Sequence, residues 1–124
     1  MNQDAHKAIV QQYFEIWNTG NADLADSVLA ANYVDHAHPE VSSLEQFKLS
    51  VQRVRRAVPD FYITLEMMIS EGDLVSVRGT IRRTQQGRLN VSHVIWFVRV
   101  SNGKMAELWT GVEATEQADT RAAS

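Results

Sequence analysis

Apolar positions recur along this chain with two different periods, and the change falls near Phe61. Ahead of it, Ala5, Ala8, Ile9, Tyr13, Ile16 and Trp17 share one face of a helix. Asn18-Thr19-Gly20-Asn21 then supplies a stop, with Gly20 suited to the left-handed position after a helix C-terminus. Asn21 is placed to cap a short second helix with Leu24, Val28 and Leu29 turned inward. Tyr33 to His38 forms a brief extended piece ended by Pro39. Ser42 and Ser43, with Glu45 and Gln46 three residues on, are overlapping capping-box candidates for a third helix. Its buried stripe is Phe47, Val51, Val54 and Val58, and Pro59 stops it.

From Phe61 the period drops to about 2, broken by turn signals at Glu71-Gly72, Gln85-Gln86-Gly87 and Asn102-Gly103. The second half therefore divides into four antiparallel strands, and the whole is α+β, with three helices segregated to one face of a sheet. A single domain over residues 1–113 is expected. The small, polar stretch 114–124 is expected to be a frayed tail.

The last two strands carry the most chemistry. If Asn102-Gly103 is a two-residue turn, Ser101 pairs with Lys104, Phe97 with Leu108, Trp96 with Trp109 and His93 with Val112. One face then holds Val91, His93, Ile95, Phe97, Ala106, Leu108, Thr110 and Val112, with His93 the ionisable group in an apolar wall. A three-residue turn with a bulge at Gly103 instead moves His93 onto the face of Glu107, Trp109 and Glu113.

Composition narrows the function. A chain of 124 residues is one domain's worth and can hold a core without staples. A formal charge of −3 speaks against a nucleic-acid surface, the local arginine clusters being read as solvated faces. Gln11, Gln12 and Glu15 interrupt the only N-terminal stretch that could serve as a signal peptide, and no run is long enough to span a membrane. With no cysteine there is no disulfide framework, and a cytoplasmic location is the default expectation.

Catalytic candidates are the histidines, because an imidazole in an apolar pocket can exchange a proton near neutral pH. His93 is one. In Asp35-His36-Ala37-His38, turn and capping roles suit Asp35 and His38, and His36 is the member expected to reach a pocket. His36 and His38 lack an identifiable third ligand, so no metal is expected. Arg78 is read as a surface side chain rather than a cationic pocket group. Tyr13, Trp17, Tyr33 and Phe47 are aromatics whose polar or apolar edges can line a cavity between helices and sheet, with Phe97 and Thr110 facing it from the strands.

The element order, the segment Asn32-Tyr33-Val34-Asp35-His36, the strand opening Glu71-Gly72-Asp73-Leu74-Val75 and the closing Gly103-Lys104-Met105-Ala106-Glu107-Leu108-Trp109 together resemble the SnoaL-like polyketide cyclases of the nuclear transport factor 2-like superfamily. The resemblance spans roughly Asp4 to Glu113. It implies a cone-shaped α+β barrel around a deep pocket, a homodimer through the outer sheet face, and cofactor-independent acid/base chemistry on a hydrophobic carbonyl compound. Dehydratases, epoxide hydrolases and non-catalytic binders of hydrophobic small molecules are the alternatives on this fold. One departure matters: the family motif commonly continues from Trp into Asp, whereas Trp109 is followed by Thr110, which cannot replace a carboxylate as a base.

Overall fold

The computed structural model describes residues 3–119. Helix α1 (Gln3–Thr19) buries Val10, Tyr13, Phe14 and Ile16. It ends where expected, with Gly20 at φ +80° and its N–H donating to the Ile16 carbonyl. Asn18 adds a contact that the helical pattern did not announce. Its side-chain amide donates to the Ile63 carbonyl (2.8 Å) and accepts from the Ile63 N–H (2.7 Å), clamping the helix end to the sheet.

A 3₁₀ turn (Ala22–Leu24) runs into the one-turn helix α2 (Ala25–Val28). Asn21 precedes the turn without a side-chain capping bond. Strand β1 (Leu29–Asp35) starts four residues ahead of the expected extended piece, with Leu29 buried and already paired with Met105. Helix α3 (Leu44–Ala57) is capped as predicted. Ser43 accepts from the Gln46 N–H, and the Gln46 side chain accepts from the Ser42 N–H.

The rest is sheet: β2 (Tyr62–Glu71), β3 (Leu74–Gln85), β4 (Arg88–Ser101) and β5 (Lys104–Asp119). The strand order is β1-β5-β4-β3-β2. The meander is antiparallel, while β1 runs parallel to β5 and adds a fifth strand to the expected four. Helices cover one face of this curved sheet, which does not close on itself. At the turn into β4, Gln86 and Gly87 have φ of +54° and +74°. Gly79 on β3 is required by close approach, since a Cβ there would stand 2.5 Å from the Thr64 carbonyl oxygen and 3.0 Å from the Trp96 ring.

Two expectations change on β5. The stretch from Ala114 is strand rather than tail up to Asp119, pairing Ala114 with His93 and Gln117 with Asn90. Its polar alternation is that of a strand with little to bury: Thr115 meets Ser92 at 3.1 Å and the Gln117 amide donates to Asn90 at 2.7 Å. Residues 120–124 of the expected tail lie outside the described residues.

The second change is the register. Asn102 (φ +53°) and Gly103 (φ +76°) do form a two-residue turn, with Ser101 opposite Lys104 and Val100 opposite Met105. The chain then bulges by one residue at Ala106, so Arg99 faces Glu107, Phe97 faces Trp109 and Trp96 faces Thr110. Burial explains it. The unbulged register would turn Glu107 and Trp109 toward the core with Trp96, whereas the bulge buries Leu108 (2% exposed) and leaves Glu107 outside against Arg99. A second shift at Glu113 sets His93 opposite Ala114.

Candidate active site

Along β4 the even-numbered residues Ser92, Val94, Trp96, Val98 and Val100 are buried, and the odd-numbered ones lie on the other face. From β5, Leu108, Thr110 and Val112 join the inner side. Between this wall and the helices lies a cavity of about 520 Å³, lined by Tyr13, Phe14 and Trp17 from α1, Phe47 and Val54 from α3, and Phe61, Ile63, Val94 and Trp96 from the sheet side. Its aromatic rings pack on one another, Phe14 against Trp96 at 4.7 Å and Trp17 edge-on to Phe47 at 5.5 Å between centroids.

Polar groups enter this wall from β1. Alternation places Tyr33 and Asp35 on the inner side, 9% exposed each, and Val34 outside. Asp35 is the single buried carboxylate among the described residues. One of its oxygens accepts the Ala37 N–H at 3.0 Å, and its carbonyl accepts from His38 N–H, so the expected turn role holds. The same residue also faces the cavity, which sequence alone had reserved for His36.

Two phenols stand beside Asp35. Burial pushes the Tyr13 phenol up to about 12, the Asp35 charge adding to the shift and the Trp17 indole opposing it. Burial raises Tyr33 further still, with the Tyr13 and Asp35 charges as smaller contributors. Both remain protonated donors at any physiological pH. The Tyr33 hydroxyl is buried and makes no hydrogen bond within the described residues.

The histidine candidates lie elsewhere. His93 sits on the outer face, its Nε2 3.4 Å from Glu116. The register reasoning that put it in the cavity fails at the Ala106 bulge, which leaves His93 facing outward and the cavity on the opposite side. His36, next in the chain to Asp35, also points outward. Its ring stacks on Trp109 at 4.9 Å and 8°, and Nε2 lies 2.8 Å from Glu107. The His36 contact first, and then Arg99 at 2.6 Å, hold the Glu107 carboxyl below its usual range. His38 lines the cavity mouth, with Nδ1 3.2 Å from Glu40. Among the described residues no three His, Asp or Glu side chains are gathered to hold a metal ion.

Of the six expected binding residues, Tyr13, Trp17, Phe47 and Thr110 line the cavity. Tyr33 packs behind it against Tyr13 and Phe47. Phe97 does not reach it: its ring is on the outer face, 50% exposed, in a shallow groove with Ile95 and Trp109. Arg78 is outside as read, between Glu66 and Glu113 at 3.2 Å each. Sequence reasoning gave Asp35 only a turn or capping role and read the arginine clusters that contain Arg53 and Arg83 as solvated faces, whereas all three residues line the cavity. The alternation Tyr33-Val34-Asp35 was the available signal, since a buried Tyr33 requires an inward Asp35.

Helices laid across one face of a curved sheet, with a cavity between the two layers, define the cone-shaped α+β fold class. The chain belongs to the SnoaL-like polyketide cyclase family, whose pattern it matches over residues 7–118. Among solved structures it is similar to TsrD from Streptomyces laurentii (20% identity, 91% of each chain covered, TM-score 0.80). It is also similar to a SnoaL-like polyketide cyclase from Agrobacterium tumefaciens (15% identity, 91% of this chain and 93% of that one, TM-score 0.76). A third is the 96-104 loop truncation variant of IdmH (24% identity, 87% and 92% covered, TM-score 0.72). At these identities the likeness establishes the fold. No curated protein sequence matches the chain.

Proposed function

We propose that this protein is a cofactor-independent enzyme of the cyclase or isomerase type, moving a proton next to a carbonyl of a largely apolar small molecule, with Asp35 as the base. The observation that carries the reading is Asp35 itself, a buried carboxylate on the wall of an aromatic cavity beside two protonated phenols. Asp35 pairs across the parallel ladder with Leu108, two residues before Thr110 on the same inner face. The acid that the family pattern places after Trp109 is thus supplied from the neighbouring strand.

The chemistry follows from that placement. The carboxylate takes a proton from the carbon next to the carbonyl, and the C–H electron pair moves into the carbonyl oxygen. Tyr13 donates to that oxygen as its charge develops, in a cavity whose apolar rings keep water away. In a cyclisation the carbanionic carbon then attacks a second carbonyl, and the new alkoxide recovers the proton from Asp35. Replacement of the expected acid by Thr110 favours one alternative, a non-catalytic binder of a hydrophobic small molecule in the same cavity.

2-Tetralone, a fused-ring ketone with acidic C–H groups, tests this. In D₂O, followed by proton NMR, the protein should accelerate exchange at the carbon between ring and carbonyl. Asp35→Asn should remove ~10² to 10⁴ of that acceleration. Undiminished exchange in the variant rules out Asp35 as the base, and binding without acceleration favours the binder.

We also propose that the outer face, with Ile95 and Phe97 exposed together beside Trp109, is covered by a second copy of the chain. No described helix is long and apolar enough to cross a membrane.

A further inference from the structure

Two cations line the cavity, and neither is explained by the proton-transfer chemistry. Arg53, an exposed residue of α3, borders the cavity on its helical wall, and Arg83 projects from β3 on the sheet wall. Arg83 is half-buried on the cavity wall. One of its nitrogens donates to the Ser92 hydroxyl at 3.3 Å, and that buried hydroxyl is itself tied to Thr115 at 3.1 Å. The guanidinium is therefore held in place from behind.

Its remaining donors, and those of Arg53, meet no carboxylate among the described residues. The acids nearby are already engaged. Glu40, at the same mouth, lies 3.2 Å from His38. Asp35 accepts from the Ala37 N–H, and Asp60 from the Thr84 N–H. A half-buried guanidinium left without an anion is costly to keep beside apolar surface, and its planar fork matches an oxyanion.

We propose that the ligand of this cavity carries an anionic group, a carboxylate or phosphate, received by Arg83 and Arg53 while its apolar body lies against Trp17, Phe61 and Trp96. The inference rests on the cavity as the ligand site, and it narrows the substrate class to an anionic carbonyl compound.

Calorimetric titration at low salt with 2-naphthoate, 2-naphthyl phosphate and neutral 2-naphthamide tests it. One anion or the other should bind at least about 10-fold tighter than the amide, and the tighter of the two identifies the oxyanion. The preference should shrink with added salt. In an Arg53→Gln/Arg83→Gln variant it should fall to within about 2-fold, with amide affinity retained as the sign of an intact cavity. Should the double variant lose the amide as well, Arg53→Gln alone carries the test, with a several-fold loss of preference expected. Equal binding of amide and anions by the unmodified protein, a preference that survives both substitutions, or no anion binding at millimolar concentration overturns the proposal. Anion selection without 2-tetralone exchange defeats the catalytic reading alone, and exchange without selection defeats this one alone.

Discussion

Asp35 and His36 are neighbours in the chain, and the sheet separates them completely. Asp35 turns into a cavity walled by Tyr13, Trp17, Phe47 and Trp96, where a backbone N–H is its hydrogen-bond partner and two phenols kept protonated by burial lie nearby. His36 turns outward onto Trp109, half in solvent, and spends its ring nitrogen on Glu107, which Arg99 also holds. Both clusters contain an acid and a potential proton donor. Only the inner one has desolvated donors and room for a ligand, and the outer one is a screened ion-pair network of small energetic weight. What distinguishes a reactive cluster here is the solvent around it rather than the residue types in it.

The sharpest way to break this comparison is to remove the base on one side and the histidines on the other. Asp35→Asn should cost ~10² to 10⁴ in proton transfer, while His36→Ala and His93→Ala stay within about 2-fold of the unmodified protein in the same NMR exchange assay. A large loss in either histidine variant would invert the assignment of the two faces. Next comes the cover of the outer face. Phe97→Glu should weaken self-association by roughly 30-fold or more in sedimentation velocity if Phe97 is central to a dimer contact. An unchanged profile would leave that face solvated.

The inner face should be intolerant of added volume. Gly79→Ala drives a methyl into the Thr64 carbonyl and the Trp96 ring, and should destabilise the fold by about 1–3 kcal/mol in urea denaturation. A neutral result would mean that β2 can move away. The smallest effect belongs to Glu107→Gln. The Glu107 carboxyl lies below its ordinary value of 4.5 because of His36 and Arg99. Its contribution to stability is therefore present above about that pH and is lost as pH falls through the depressed value. Thermal melts of the variant should show a slight loss near neutral pH that vanishes in acid. A loss that persists in acid would point to packing instead.

Much of the molecule was legible from local pattern. Helix α1 and its Gly20 stop, the Ser43 cap of α3, and all three hairpin turns of the meander follow from rules that act within a few residues. The failures have one cause. His93 and Phe97 were expected in the pocket because a strand's faces were propagated from a correctly predicted turn, and a single extra residue at Ala106 reversed the facing of β5 against β4 from Glu107 to Val112.

The bulge itself has no local signature. It exists because Leu108, and not Glu107 or Trp109, fits against the core, and that preference is known only once the helices are in place. Similarly, β1 is a strand because β5 offers it a parallel edge, a pairing between residues about 75 apart in sequence that no short-range propensity encodes.

By itself, then, the sequence determined the elements, their order, the α+β class and the resemblance to SnoaL-like cyclases, since periodicity, caps and turns are local properties. Tertiary structure alone decided which ionisable groups share the cavity. Asp35, Arg53 and Arg83 are brought there, and His36 and His93 are turned away, because facing depends on strand register, and register is set by what the assembled core will bury.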